Sequence, residues 1–319
     1  MTRWLKMIAL GLAFCATAAA AQDFPARPVK IIVPQTPGGA SDALARIVAQ
    51  KLGEKWGQPV IVENKAGAGG NIGMEAVATA SPDGYTLLMS YVGTHAINGS
   101  LYKKLPFDPV RDFAPVATIG TLPFVAVARN GAPFQNVAQL VSAAGKGRLT
   151  FGSAGNGSVN HLLGEMFNAA TGVKLVHVPY RGAAPALQDL LGGQIDLVFT
   201  SLPSVAGHIK QGTVQPIAVT SATRSGLFPA IPTLAESGVR DFDVTPWFGL
   251  FAPGKTSVAL LARINADVNE LLKSRDIVDK LASQGAEPLI TDPQRFAEIL
   301  KADIDKWSQV VRSSGATVD

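Results

Sequence analysis

The sequence predicts an α/β protein of two lobes, each with a mainly parallel sheet, joined by two crossings of the chain. Short runs of β-branched residues are followed by glycine-rich turns and then by segments whose apolar residues recur at helical spacing. This rhythm occurs twice, with a break near Arg129, and a helical block follows it. Strands that alternate with helices favour a parallel sheet covered on both faces, and the chain is longer than one core usually organises.

The first series begins with a strand over residues 29–33 and a helix over 41–52. The helix has Leu44, Val48 and Leu52 on one face, which is the pattern of an amphipathic helix packed on a sheet. The remaining elements of this series are a strand over 60–62, a helix over 72–80 after the glycines of 67–70, and a strand over 85–89. Together they predict the sheet of the first lobe.

The second series repeats the alternation. Its strands are predicted over 149–152, 175–178, 195–199 and 217–220, and its helices over 159–170, 185–191 and 204–209. Pro185 and Pro203 stand near helix starts, where a missing N–H costs nothing. These elements predict the sheet of the second lobe.

Two crossings are expected between the lobes, the outward one over 124–129 and the return over 245–251. Three helices, over 257–272, 275–284 and 293–311, would then pack back on the first lobe. We therefore assign residues 22–124 with 245–319 to lobe 1 and residues 125–244 to lobe 2.

The first residues are typical of a secretory signal peptide. Arg3 and Lys6 precede an apolar run over 7–16 and a tract of small residues over 17–21. The apolar run is too short to span a bilayer, which takes about 20 residues. We expect cleavage between Ala21 and Gln22, so that residues 1–21 are removed on export.

Composition excludes several classes of function. Cys15 is the only cysteine, so the mature chain holds no disulfide and no thiol nucleophile. A lipid anchor on Cys15 is disfavoured, because Phe14 stands where lipoprotein processing takes a small residue. The net charge of +4 is small, and the longest basic run is the pair Lys103 and Lys104. Nucleic acid is therefore not expected as a partner, because its phosphates are bound by clusters of Lys and Arg.

The turns that follow three strands are candidate anion seats. The first reads Pro-Gly-Gly-Ala-Ser-Asp over residues 37–42, where outward-pointing N–H groups and a helix start favour a carboxylate or phosphate. The alternative is an ordinary helix start capped by Ser41 or Asp42. Similar turns lie at 152–158, with Ser158 placed as a cap, and at 180–184. Because ligands gather outside the carboxyl ends of strands, opposed turns would clamp a small anion from both sides.

The sequence carries none of the common motifs for catalysis, cofactor binding or metal binding. There is no Gly-x-Ser-x-Gly, Gly145 and Lys146 lack the rest of a P-loop, and Ile72 stands where a dinucleotide fingerprint over 67–72 needs its last glycine. The histidines at 95, 161, 177 and 208 have no metal-binding spacing. We expect no cofactor, no metal and no catalytic residue.

Individual side chains leave alternatives open. His161 either meets a ligand or packs in a helix, and Trp247 on the return crossing either walls a pocket or fills the core. Arg181 either neutralises a carboxylate or, as we favour, is a solvated loop residue. His177 is expected to be structural, and Asp196 to serve a turn rather than acid–base chemistry.

Nine segments in order along the chain resemble the tripartite tricarboxylate transporter receptors, also called Bug proteins. The first is Pro-x-x-Pro-Gly-Gly-x-x-Asp over residues 34–42, and the others lie at 63–70, 81–85, 152–155, 161–162, 178–182, 184–186, 189–196 and 246–250. The resemblance implies a type II periplasmic-binding-protein-like fold, the Venus flytrap. It also implies a periplasmic protein that presents a carboxylic acid to the membrane permease subunits of this transporter type.

The resemblance also implies a set of ligand contacts, in which the carboxylate meets N–H groups and water in loops of both lobes. Carried over to this chain, one jaw consists of Gly38, Gly39, Ala40, Ser41 and Asp42, and the other of Ser153, Gly157, Ser158, His161, Tyr180 and Gly182. Gln35 stands where relatives often have an aromatic residue, which indicates a more polar distal group on the ligand. Trp247 completes the candidate contacts.

We expect a monomer that closes its lobes around the ligand and does no chemistry on it, because the bound anion stabilises the closed state by its differential affinity. A sensor that docks a membrane signalling protein would use the same closure, and the sequence does not separate it from transport. The third reading is a periplasmic enzyme acting on a carboxylic acid, with His161 or Asp196 as acid–base group. No nucleophile–base pair in the sequence supports that reading.

Overall fold

Two mixed sheets with helices on their faces make up the described part of the chain, residues 24–318 of a computed structural model. The predicted signal peptide and its cleavage site lie outside these residues. The strands are β1 (Val29–Val33), β2 (Val60–Asn64), β3 (Thr86–Tyr91), β4 (Phe113–Thr121), β5 (Phe124–Arg129), β6 (Thr150–Ser153), β7 (Val176–Pro179), β8 (Leu197–Ser201), β9 (Val214–Val219), β10 (Trp247–Pro253) and β11 (Glu287–Pro288).

The helices follow the amphipathic segments of the sequence. They are α1 (Ala40–Trp56), α2 (Asn71–Ala78), α3 (Asn98–Leu101), α4 (Val137–Ala144), α5 (Val159–Thr171), α6 (Ala183–Leu191), α7 (Leu202–Gln211), α8 (Val258–Leu272), α9 (Arg275–Ser283) and α10 (Pro293–Ser314). A π-helical turn, Gly93–Ile97, precedes α3. Within the described residues no helix combines the length and apolarity that crossing a bilayer requires.

The strand order is β11-β4-β10-β3-β1-β2 in the first sheet and β7-β6-β8-β5-β9 in the second. In each sheet three strands are parallel, namely β2-β1-β3 and β7-β6-β8. β10 runs antiparallel to β3 and β4, and β5 runs antiparallel to β8 and β9. The sheets are therefore mixed rather than mainly parallel. Each crossing strand enters its sheet where the parallel strands end, so it must run in the opposite direction.

The packing of α1 shows how its predicted apolar face stabilises the fold. Leu44, Val48 and Leu52 lie on one face of α1 and are at most 2% exposed, and burial of each such side chain stabilises the fold by about 1.5–3 kcal/mol. The helix ends at Gly57, whose φ of 63° is the left-handed conformation that a helix C-terminus favours. α1 thereby covers β1 and fixes where its own first turn points.

The sequence did not predict β4, β11, α3, α4 or the π-helical turn before α3. Pro115 and Gly120 interrupt the apolar run of β4. Pro115 is accommodated next to a register shift in the pairing with β10, which is where a sheet tolerates a residue without an N–H. A side chain at Gly120 would meet the Glu287 carbonyl oxygen at 2.7 Å. Pairing between distant segments, not local pattern, makes β4 a strand.

The two crossings lie side by side, and the Leu122 N–H donates to the Pro246 carbonyl at 3.0 Å. α10 packs against both sides of this junction. The Trp247 indole N–H donates to Asp303 at 2.7 Å, and the Lys306 ammonium donates to the Asp243 carbonyl at 2.8 Å. One buried apolar cluster includes residues from both sheets, so the two halves share a core at the crossings.

Candidate functional site

A cavity of about 320 Å³ lies at the crossings, where the parallel strands of both sheets end. Its lining comes from both sheets: Gln35, Thr36, Gly39, Ala40, Ser41, Tyr91 and Phe248 from the first; Asn160, Ala183, Thr200, Ser201 and Ser204 from the second; and Leu122, Phe124 and Pro246 from the crossings and their flanks. A cavity at the carboxyl ends of strands is the expected place for a ligand in an open α/β sheet. None of these lining residues is Lys, Arg, His, Asp or Glu.

The start of α1 is open toward this cavity. Gly39 is the N-cap, its backbone is extended (φ −79°, ψ 172°), and no side chain accepts a hydrogen bond from the first turn. The N–H groups of a first helical turn have no acceptor within the helix, and the helix dipole gives them partial positive charge. Ala40 and Ser41, whose N–H groups belong to this first turn, line the cavity. The turn is therefore suited to a carboxylate without any cationic side chain.

Asp42 does not line the cavity but holds this turn in place. Its carboxylate accepts hydrogen bonds from the Gly38 N–H at 2.9 Å, the Arg46 side chain at 3.0 Å and the Asn64 amide at 3.0 Å. The Arg46 guanidinium, with the Gly38 and Asn64 donors, lowers the pKa of the Asp42 carboxyl although its burial opposes this. Asp42 is thus a brace that points backward from α1 and leaves the first turn uncapped.

Two helices of the second sheet also begin at the cavity without a side-chain cap. Gly182 precedes α6, and Ser201 precedes α7. Their free donors are fewer than those of α1. The Leu202 N–H already donates to the Pro123 carbonyl at 2.8 Å, and Pro185 and Pro203 carry no N–H. Among these three starts, α1 offers the most complete set of donors.

The second glycine-rich turn, 152–158, is built differently from the first. The Ser158 hydroxyl accepts from the His161 N–H at 3.3 Å and so caps α5, and the Gly157 N–H donates to His161 Nδ1 at 3.1 Å. A side chain at Gly157, whose φ is 72°, would come within 2.6 Å of Leu101. Gly157, Ser158 and His161 are not among the residues that line the cavity, whereas Asn160, in the first turn of α5, does line it.

Ser153 and His177 form a contact that sequence reasoning did not anticipate. The Ser153 hydroxyl lies 2.6 Å from His177 Nε2, and the His177 ring stacks on His161 with centroids 3.8 Å apart. Burial, with the neighbouring His161, lowers the pKa of His177 to about 4. Ser153 is only 1% exposed and also accepts from the Gly155 N–H. The pair has the atoms of a nucleophile and a base but lies outside the cavity lining.

Other predicted contacts have structural partners. The Tyr180 hydroxyl donates to Asp189 at 2.7 Å, and burial with this carboxylate raises the pKa of Tyr180 to about 12. Trp247 is 2% exposed and fills the core. Arg181 is exposed. Asp196 accepts from the Arg129 side chain of β5 and from the Thr150 N–H of β6, so its carboxylate has structural partners.

The remaining predicted contacts include residues that line the cavity and residues that do not. Gly38, with φ 84°, shapes the turn, and Gly182 precedes α6, but neither lines the cavity. Gln35 does line it. Its amide Nε2 donates to the Thr94 hydroxyl at 2.8 Å, whereas its Oε1 is buried without a hydrogen-bond partner among the described residues. A donor on a ligand would offset the desolvation of this oxygen.

Several lining residues were missed, and one signal could have found them. Tyr91 ends β3 and Ser201 ends β8, so both stand at carboxyl ends of strands, where the rule that selected the glycine-rich turns applies equally. Pro246 and Phe248 flank Trp247, and alternation along a strand places neighbours of a core residue on the opposite face. The predicted strands ended about two residues too early, which hid these positions.

No cluster of three or more His, Cys, Asp or Glu side chains suited to a metal ion occurs within residues 24–318. With an uncharged lining, the cavity can hold an anion through N–H groups and hydroxyls and can cover an apolar body. It lacks an exposed acid–base pair on its walls.

A family model described as the tripartite tricarboxylate transporter family receptor matches residues 44–316. BugT of Bordetella pertussis is 39% identical over 321 residues, which cover 99% of this chain and 98% of that protein. Among solved structures, Rpa4515 of R. palustris with adipate has a TM-score of 0.82 and 36% identity over 93% of this chain and 100% of that one. MatC of Rhodopseudomonas palustris with bound malate has a TM-score of 0.77 and 33% identity over 90% and 100%. This likeness confirms the predicted two-lobe α/β fold.

Proposed function

The chain belongs to the tripartite tricarboxylate transporter receptor family, and on that premise we propose that it is a periplasmic protein that captures a small carboxylate between two lobes and does not transform it. Lobe 1 comprises residues 22–124 and 245–319, and lobe 2 comprises residues 125–244. The ligand occupies the cavity at the crossings. The loaded receptor then delivers it to membrane permease subunits of the same transporter type.

The observation that carries the proposal is the uncapped start of α1 in a cavity whose lining has no charged side chain. Five helices elsewhere, α4, α5, α8, α9 and α10, have a side-chain oxygen that accepts from the first turn. Such a cap is worth about 1 kcal/mol, so its absence at α1 leaves donors for an external acceptor. Adipate and malate, found with the two related structures, carry carboxylates that fit this role.

Closure of the lobes is supported by two contacts between them. Pro203, at the start of α7, lies so near Gly285 in lobe 1 that a side chain there would stand 1.9 Å from Pro203 Cγ. The Gly226 N–H also donates to Glu287 at 3.4 Å. A ligand that touches both lobes stabilises this arrangement by its differential affinity.

The substitution Gly285→Ala tests closure, with Gly315→Ala as its matched control. Both glycines have a left-handed φ, 69° and 65°, but only Gly285 faces Pro203, and Gly315 has open space. We expect Gly285→Ala to weaken ligand binding by about tenfold and Gly315→Ala to leave it unchanged. Equal affinities of the two variants would show that the Pro203 contact plays no part in closure.

Binding without chemistry is supported by the burial of the Ser153–His177 pair, whose hydroxyl has protein partners and lies outside the cavity lining. A general base must reach its substrate within hydrogen-bond distance. Incubation of the protein with each bound acid, followed by mass spectrometry, should return the acid unaltered. Detection of a product would favour the alternative hypothesis of a periplasmic enzyme that acts on a carboxylic acid.

The experiment for the proposed function is a thermal-shift screen of organic acids followed by calorimetry, with each acid paired with its uncharged amide. A bound ligand at about 100 times its dissociation constant stabilises the folded state by about 2.7 kcal/mol and raises the midpoint. We expect at least one acid to raise it and its amide to have no effect. Equal shifts from acid and amide, or no shift from any acid, would contradict the proposal.

A further inference from the structure

One wall of the cavity is aromatic and rigidly held. Tyr91 and Phe248 stack with ring centroids 5.7 Å apart and planes 18° apart, and Phe124 and Leu122 extend this apolar surface. A side chain at Gly93 would meet the Tyr91 ring at 2.5 Å. Only glycine at position 93 leaves room for the ring, so the position of Tyr91 is built into the fold.

Polar groups lie beside the Tyr91 ring. Gln35 Nε2 donates to the Thr94 hydroxyl at 2.8 Å. Burial raises the pKa of the Tyr91 hydroxyl, although the nearby Thr94 opposes this. The Gln35 amide nitrogen is therefore engaged by the protein next to the aromatic wall. The sequence had instead suggested that Gln35 meets a polar distal group on the ligand.

The polar side chains that the second sheet contributes to the cavity already have protein partners. The Asn160 amide already donates to the Phe199 carbonyl at 2.7 Å, and the Ser201 and Ser204 hydroxyls bond each other. The Leu202 N–H is engaged by the Pro123 carbonyl. A carboxylate buried against ring faces would lose its hydration without hydrogen bonds in return, and the negative faces of the rings would repel it.

We propose that the ligand is a monocarboxylate with a flat aromatic body, an inference that rests on the function proposed above. Its carboxylate meets the first turn of α1, and its ring lies against the Tyr91–Phe248 wall. Aromatic rings bury much apolar area and gain further from offset or edge contacts with other rings. The preference is thus for shape and apolarity at the end remote from the charge.

Calorimetry with five acids tests the proposal: benzoate, 4-hydroxybenzoate, cyclohexanecarboxylate, adipate and malate. We expect at least one of the two aromatic acids to bind about tenfold or more tightly than adipate, malate and the non-planar cyclohexane acid. Tighter or equal binding of adipate or malate would overturn this inference and leave the proposed function intact. Binding of no acid, there or in the wider screen, would instead contradict the proposed function.

Variants of the wall separate its role from folding. Tyr91→Leu and Phe248→Leu should each reduce the preference for the aromatic acid over cyclohexanecarboxylate by about threefold or more. Phe228→Leu, a partly buried aromatic residue that does not line the cavity, serves as the control and should keep the preference. Circular dichroism confirms that each variant is folded before it is measured. An unchanged preference in both wall variants would refute a stacking role for these rings.

Discussion

The two glycine-rich turns, 37–42 and 152–158, look alike in sequence and differ in what they leave free. In the first, Asp42 reaches back to the Gly38 N–H, Gly39 has no side chain, and the start of α1 stays uncapped and exposed. In the second, the Ser158 hydroxyl caps α5 and Gly157 packs against Leu101. A glycine-rich turn therefore offers backbone donors to an anion only where no neighbouring side chain already accepts from them.

The largest expected effect is on binding, from Gly39→Asp in the first turn. The Gly39 backbone has an ordinary φ of −79°, and a side chain there would meet nothing nearer than the Thr36 carbonyl at 3.7 Å. The fold should therefore accept the change, and the new carboxylate would cap α1 itself. We expect affinity for a bound acid to fall by at least about 100-fold, or about 2.7 kcal/mol, measured by calorimetry.

Gly39→Asn is the matched control for this charge effect. It adds a side chain of the same shape that can also cap α1 but carries no negative charge, so it should weaken binding less than Gly39→Asp, and the difference between the two variants measures charge repulsion. Undiminished affinity of the Asp variant would mean that the anion does not sit at the start of α1.

In the second turn, Gly155→Ala should affect stability rather than binding. Its φ of 117° and the approach to the Tyr180 carbonyl oxygen at 3.2 Å, within the same lobe, oppose any side chain, and such strain costs about 2 kcal/mol. Urea denaturation should register this loss, while affinity of the folded protein should change by less than about threefold. Gly147→Ala, in open space without a positive φ, is the control. If binding fell and stability did not, the second turn would be part of the seat.

The contribution of Asp42 to the free energy of unfolding should depend on pH. Its folded pKa is lowered, chiefly by the Arg46 hydrogen bond, so its stabilisation is present above the unfolded pKa near 4 and is lost as pH falls through the folded value. We expect Asp42→Asn to reduce the free energy of unfolding by about 2 kcal/mol at pH 7, and we expect the difference from the original protein to shrink as pH falls below about 4. A difference that stayed constant across this range would argue against an ionised brace.

The smallest expected effect is that of Ser158→Ala. Loss of the cap on α5 should lower the free energy of unfolding by about 1 kcal/mol and leave acid binding unchanged, because Ser158 is absent from the cavity lining. Ser158→Thr, which keeps both the cap and the hydroxyl that donates to the Gly155 carbonyl at 2.7 Å, should retain most of the stability. Strongly reduced binding by Ser158→Ala would reinstate the second jaw that the sequence suggested.

Periodicity predicted the local elements of the fold, including α1 with its buried face of Leu44, Val48 and Leu52. It missed β4, because Pro115 and Gly120 are tolerated there only through pairing with β10 and β11. It also predicted mainly parallel sheets, since the direction of β5 and β10 depends on where the crossings enter each sheet and not on their own residues.

The sequence predicted only some of the residues that form the candidate site. Gly39, Ala40, Ser41 and Gln35 were named and line the cavity. Ser158 and His161 were also named, but their hydrogen bonds within the turn, which set them apart from the cavity, depend on side-chain orientation. Tyr91 and Phe248 come from strands far apart in sequence, and only the folded sheet brings them into contact.

Amide NMR during titration with a bound acid compares the two helix starts in a single experiment. If the carboxylate accepts hydrogen bonds from the first turn of α1, the amide protons of Ala40 and Ser41 move downfield as the ligand is added. Those of Val159 and His161, in the capped first turn of α5, stay near their starting positions. Downfield movement of Val159 and His161 with Ala40 and Ser41 unmoved would contradict the assignment of the seat to α1.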